Sequence, residues 1–277
     1  MDSVSVTTQH LLERIQNLRA SLRDSETAHG QLLQTLDSFD CPICRDETGY
    51  LVRGDDGLDY WRICECAEQR RMNRLFASSN ITEAFRRIRF DAFTLDGRPS
   101  CVRSAFFATQ HYLDRFDSIR GGSDNGITLL GKPGSGKTHL LIAMANELIS
   151  RGIGVLYFPW AEGSNELRKL LQDKEDIQKR IDAMKVAEVL YIDDLFKGRK
   201  EPTDFQREFL FEVVNYRYLN HLPIMMSSEK FTDQIMEIDE GIGRRIYERS
   251  RSHKVDMVLN ETEGDLSLNY SIRGERQ

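Results

Sequence analysis

A chain of 277 residues with 44 acidic and 38 basic side chains carries a net charge of −6, which excludes a uniformly basic nucleic-acid coat but not a local basic groove. No apolar run approaches the ~20 residues of a membrane span, and the polar N-terminus lacks a signal-peptide core, so a cytoplasmic protein of one large or two smaller domains, with no membrane partner, is expected. Thiols stay reduced in that compartment, so the five cysteines read as metal ligands before disulfides.

The stretch from Thr7 to Leu36 predicts helix. Leu11, Ile15, Leu18 and Leu22 form an apolar stripe, Gly30 breaks it, and Leu32, Leu33 and Leu36 follow on a second helix. Such a stripe either docks another protein or caps its own domain. Next come Cys41-Pro42-Ile43-Cys44 and Cys64-Glu65-Cys66, two close pairs of thiols separated by a glycine-containing excursion that suits a small hairpin. Paired thiolates from two tight turns are what a tetrahedral zinc site needs; the alternative is four unligated reduced cysteines. Cys101 stands alone and reads as a small core residue. A basic helix is expected from Ala67 to Phe76, with Arg70, Arg71 and Arg74, and Arg86, Arg87 and Arg89 follow. These arginines lie along a phosphate backbone or form a solvated face. The domain boundary is expected between Ser79 and Phe90, giving an N-terminal module over 1–80 and a second domain over 81–277.

A helix is predicted from Ser100 to Phe116, and then the most informative stretch begins. The apolar run Ile127 to Leu130 ends in Gly131-Lys132-Pro133-Gly134-Ser135-Gly136-Lys137-Thr138, and a helix-like run starts at His139. The turn fits G-x-x-x-x-G-K-[ST], a loop whose glycines aim successive backbone N–H groups at one anion. The helix N-terminus adds partial positive charge, Lys137 reaches the outer phosphates, and the Thr138 hydroxyl ligates Mg²⁺. The bland reading is a glycine-rich surface turn.

A second strand is predicted at Gly154 to Phe158, and a long charged helical stretch from Glu162 to Met184. Val189 to Asp194 is an apolar run ending in two carboxylates. Downstream of a phosphate loop, such a strand delivers Asp193 to hold Mg²⁺ and Asp194 to orient or deprotonate the attacking water. A helix from Phe205 to Tyr218, a strand from Leu222 to Ser228, a helix from Asp239 to Ser250 and a strand from Val255 to Leu259 complete the pattern. Ser228 is expected to offer its hydroxyl near the γ-phosphate. Strands alternating with helices predict an α/β fold with a parallel sheet covered on both faces.

The order of phosphate loop, Ile192-Asp193-Asp194, Pro223 to Glu229, and Gly243-Arg244-Arg245-Ile246 resembles the AAA+ ATPases of the DnaC/DnaI type, the bacterial and phage loaders of the replicative DNA helicase. The resemblance covers most of the chain, from about Cys41 to Arg273, and extends to the IstB-like transposition helpers. It implies an AAA+ P-loop NTPase domain preceded by a small helical, zinc-binding, helicase-binding module. Implied cofactors are ATP, Mg²⁺ and Zn²⁺; implied partners are the replicative helicase and single-stranded DNA. Arg245 matches the arginine finger that acts on a neighbouring subunit's ATP, which implies self-association, with Arg244 as the adjacent alternative. The extra helices at Glu162 to Asp182 fall where the family lines a DNA channel. Two positions depart from the family pattern: Glu229 stands where the family has an Asn, and Ser271, not an arginine, follows Tyr270, with Arg273 two places later. Slow ATP turnover, stimulated by DNA or assembly, fits those departures. The rival readings are an IstB-like transposition ATPase and a nucleotide-binding adaptor that scarcely hydrolyses.

Overall fold

The computed structural model describes residues 39–198 and 201–258. The predicted helices between Thr7 and Leu36, and the tail with Tyr270, Ser271 and Arg273, lie outside the described residues. The chain divides into two compact units, Met1–Arg70 and Arg71–Gln277.

In the first unit, β1 (Gly49–Arg53) and β2 (Asp59–Ile63) pair antiparallel, with Leu51 opposite Trp61 and Gly49 opposite Ile63. The turn is closed by the Gly54 N–H donating to the Leu58 carbonyl, and Asp56 accepts from the Leu58 N–H. A hairpin of this size builds almost no apolar core. Its buried cluster is Cys41, Cys44 and Cys64, with Tyr50 and Cys66 against it, so the thiols stand where a larger domain would have leucines.

The helix α1 (Cys66–Ser78) carries the chain into the second unit. There follow α2 (Glu83–Arg86), α3 (Ser100–Ile119), β3 (Ile127–Gly131), α4 (Lys137–Ser150) and β4 (Val155–Pro159). Next come α5 (Trp160–Lys169), α6 (Lys174–Val186), β5 (Val189–Leu195), α7 (Asp204–Leu219) and β6 (Ile224–Ser228). The helices α8 (Thr232–Ile238) and α9 (Glu240–Arg249) and the strand β7 (Lys254–Met257) close the series. The five strands run parallel in the order β4-β5-β6-β3-β7.

The central strands β3, β5 and β6 form because each is a short apolar run that loses its water on both faces. Every residue of β3 and β6 is buried. One face of the sheet packs against α3 and α4 through Tyr112, Phe116, Leu141 and Met144. The other packs α5, α6 and α7 through Trp160, Leu167, Met184, Phe209 and Val213. Cys101 is buried in the first of these layers, as its isolation in the sequence implies.

The charged helical stretch is two helices, α5 and α6. Leu170 ends α5, and the Asp173 carboxylate caps α6 by accepting from the Asp176 N–H, a stop and restart that apolar periodicity alone does not reveal. The short helix α8 was also not predicted; seven residues are too few to show a period.

One buried cation ties this layer together. Arg217 is fully buried and donates to the carbonyls of Met184, Lys185 and Ala187 at the end of α6, and to Pro223 just before β6. Among the described residues no carboxylate pairs with it, and burial pulls its pKa down to about 9. Carbonyls at a helix C-terminus supply the compensating negative potential.

Candidate nucleotide site and four-thiol cluster

Gly131 ends β3 and Gly136 precedes α4. Gly136 has φ of 94°, and a Cβ there would lie 2.8 Å from the Phe93 ring. Only glycine takes that backbone without strain, so the loop turns sharply onto the first turn of α4. Lys137 is buried against its own loop, donating to the carbonyls of Gly131 (2.8 Å) and Lys132 (2.9 Å), with Ser135 Oγ at 3.4 Å. Burial lowers its pKa, and the charges of Asp194, Glu229 and Asp193 raise it again. Lys132 and Pro133 sit exposed at the tip, while Ser135 is buried. His139 faces away from the acids: its Nε2 lies 3.2 Å from the Arg89 carbonyl and its ring rests on Phe93.

The C-terminal end of β5 brings both carboxylates to this loop. Thr138 Oγ1 donates to Asp193 Oδ1 at 3.1 Å. Asp193 is 5% exposed and accepts three more hydroxyls: Tyr191 (2.7 Å), Tyr157 (3.1 Å) and Ser227 (2.5 Å). Burial pushes the pKa of Tyr191 far above the usual phenol range, and Tyr157 is raised for the same first reason. Both therefore remain donors at any working pH. Thr138 and Asp193 together present hard oxygens beside a loop of backbone N–H groups, a donor set that fits Mg²⁺ bound with phosphate oxygens.

Asp194 adopts a left-handed backbone, φ 53°, followed by Phe196 at 61°. Its N–H donates to Ser227 Oγ at 2.8 Å, and the Lys197 N–H closes a turn onto its carbonyl at 3.0 Å. The Phe196 ring is anchored edge-on against Trp160. That turn carries the Lys197 ammonium to 2.7 Å from Asp194 Oδ2 and 3.4 Å from Glu229 Oε1.

The structure thus brings together Lys137, Thr138, Asp193 and Asp194. It differs from expectation at the serine pair. Ser228 is fully buried and donates to the Leu195 carbonyl, so the hydroxyl facing the acids belongs to Ser227. The alternation of a strand is the cause: neighbouring residues point to opposite faces. Arg245 is held within the chain, donating to Asn215 Oδ1 at 3.0 Å and the Gly241 carbonyl at 2.9 Å, with its guanidinium over Phe211 and Tyr218. Arg244 is the more exposed of the two and pairs with Glu240 at 2.7 Å. The basic stretch from Arg71 to Arg89 is partly committed to the fold. Arg71 donates to the Gly152 carbonyl, Arg86 to the Phe76 carbonyl, and Arg89 to the Arg86 carbonyl. Trp160 is buried in the core and stacks on Phe209.

Tyr157, Tyr191 and Lys197 were not singled out in the sequence, whereas Ser227 was the neighbour of the serine expected there. Tyr191 was findable, since it lies two residues before Asp193 on the same face of the strand. Tyr157 sits opposite Tyr191 in the β4–β5 register, which the sequence does not disclose.

In the first unit the four sulfur atoms of Cys41, Cys44, Cys64 and Cys66 all lie within 4.8 Å of one another. Cys41 and Cys64 are 3.7 Å apart, and Cys44 and Cys66 3.3 Å. Thiolates around a tetrahedral ion at ~2.3 Å stand roughly 3.8 Å apart, so the arrangement fits one. The backbone N–H groups of Cys44 and Ile43 pull the Cys41 thiol down to about 6, whereas the hydrogen bond to Cys44 pushes Cys66 up to about 12.

Comparisons with known proteins agree with this geometry. The family model described as IstB-like ATP binding protein matches residues 113–261. The phage-like element PBSX protein XkdC of Bacillus subtilis is 40% identical over 274 residues, covering 98% of each chain. The replicative helicase loader DnaI of the same organism is 33% identical over 130 residues, 46% of this chain and 40% of that one. Among solved structures, the DnaC helicase loader matches with a TM-score of 0.52 at 20% identity, over 65% of this chain and 100% of that one. The fold is the AAA+ fold of the DnaC/DnaI type, and the chain belongs to the family of IstB-like ATP-binding proteins.

Proposed function

We propose that the protein is an ATP-dependent loader of a replicative DNA helicase onto single-stranded DNA, with slow intrinsic ATPase activity. The observation that carries the reading is the meeting of Thr138 and Asp193 at 3.1 Å beside the buried Lys137. Gly131 to Thr138 hold the triphosphate of ATP, and Thr138 and Asp193 hold its Mg²⁺. The bound ion supplies charge neutralisation of the transferring phosphoryl group. Asp194 orients the attacking water once its carboxylate is free of Lys197. Arg245, or the more exposed Arg244, acts on the nucleotide of a neighbouring subunit.

The four thiols hold Zn²⁺ and fix the hairpin of a helicase-binding N-terminal module over 1–80. The two helices from Trp160 to Val186 face single-stranded DNA. Support for the helicase as partner comes from the similarity to DnaI.

The IstB-like family match favours a second reading, a transposition helper that shares the ATPase and differs in its partner. Pull-downs of the full chain with ATP separate the two. Capture of a replicative helicase, but not of a transposase, is expected; the reverse pattern contradicts the loader reading.

A further inference from the structure

Three carboxylates crowd one end of the sheet: Asp193, Asp194 and Glu229. Each lies within electrostatic reach of Lys137. Asp193 is satisfied by its four hydroxyls, but Asp194 and Glu229 have no such sheath. Their common partner is Lys197, 2.7 Å from one and 3.4 Å from the other. The local backbone is built to put it there. Two non-glycine residues, Asp194 and Phe196, take left-handed φ values that such side chains rarely adopt, and Phe196 is clamped in the core to hold the turn. A surface lysine that met the acids by chance would not need such a turn.

The charge balance gives this placement a meaning. A nucleotide's terminal phosphate entering beside Lys137 would face two carboxylates of its own sign. Lys197 stands 47% exposed on a flexible stem and is the neutralising cation for both. We propose that Lys197 is a mobile counter-charge of the nucleotide site. It bridges Asp194 and Glu229 while the site is empty and turns to the γ-phosphate when ATP enters, releasing Asp194. Lys197 is in this sense a reporter of the third phosphate, and the residue that makes Glu229 tolerable at this position. The inference rests on the reading of Gly131 to Thr138 as an ATP site.

The test is calorimetric titration of Mg-ATP and Mg-ADP into the full chain, its Lys197→Met, Lys197→Arg and Glu229→Gln variants, and the Lys197→Met/Glu229→Gln double variant. Lys197→Met should weaken ATP binding about fivefold, the effect of losing roughly 1 kcal/mol of partly screened attraction, while ADP binding changes less than about twofold. Lys197→Arg should keep ATP affinity near the parent's. Glu229→Gln alone should tighten ATP, and in the double variant it should restore most of what Lys197→Met lost. Equal weakening of ATP and ADP, no weakening, or no recovery in the double variant overturns the proposal. If Lys197→Met does not fold, Glu229→Gln decides alone, since unchanged ATP affinity there contradicts the charge argument. Absence of ATP binding by the parent chain is a different outcome, because it removes the nucleotide reading itself.

Discussion

At the scale of single residues, Asp193 shows how a fold fixes a carboxylate. Four hydroxyls converge on its two oxygens. Replacing Tyr191 with Phe removes one donor and leaves the ring in place. About 1 kcal/mol of orientation is lost, so Mg²⁺ affinity in the presence of ATP should fall roughly fivefold, with the melting temperature little changed. Unchanged Mg²⁺ affinity by titration would mean that the phenol is only a core filler. His253 offers a second prediction. Both its ring nitrogens are buried without a partner, and burial lowers its pKa, with Asp124 opposing and His111 and Arg115 adding to the effect. In the unfolded chain the ring takes its proton near pH 6.5, and in the folded chain only at lower pH. Below about pH 6.5 the unfolded state therefore binds more protons, and stability falls as pH drops. Thermal melts of the parent should show that decline, and a His253→Phe variant should show less of it. Equal slopes in both proteins would clear His253 of the effect.

At the scale of elements, the hairpin and the sheet owe their order to different causes. The sheet buries both faces of every central strand, and no ion is needed to hold it. The hairpin leaves Leu51, Trp61 and Ile63 more than half exposed, and its interior is a cluster of thiols. Cross-strand pairs alone do not hold two five-residue strands in water. Chelation of Zn²⁺, or replacement of Cys41 and Cys64 by serine, should therefore unfold the hairpin, read by the emission of Trp61, and leave ATP binding intact. A metal-stripped protein whose Trp61 emission stays that of the untreated protein would contradict the zinc site. The same contrast explains what the sequence disclosed. Spacing of thiols and alternation of apolar runs with helices are local signals, so the parallel sheet, the phosphate loop and the cysteine set were legible. The break between α5 and α6 depends on one capping aspartate, and the short α8 carries no period.

At the scale of the whole chain, the site is assembled from pieces far apart in sequence. The loop after β3, the end of β5 and the end of β6 meet because parallel strands share their C-terminal edge, a rule that made Asp193 and Asp194 findable without coordinates. The same rule did not reveal which serine of β6 faces inward, nor that Lys197 folds back on Asp194; both depend on register and on a left-handed turn that composition does not encode. Among the described residues no helix is long and apolar enough to cross a membrane. Calorimetric titration of Mg-ATP into the full chain, beside its Lys137→Ala variant, examines the central claim most directly. The account predicts saturable, Mg²⁺-dependent heat near one nucleotide per chain for the parent and none for the folded variant. Well-folded parent protein that gives no heat, or a Lys137→Ala variant that binds as the parent does, would contradict it.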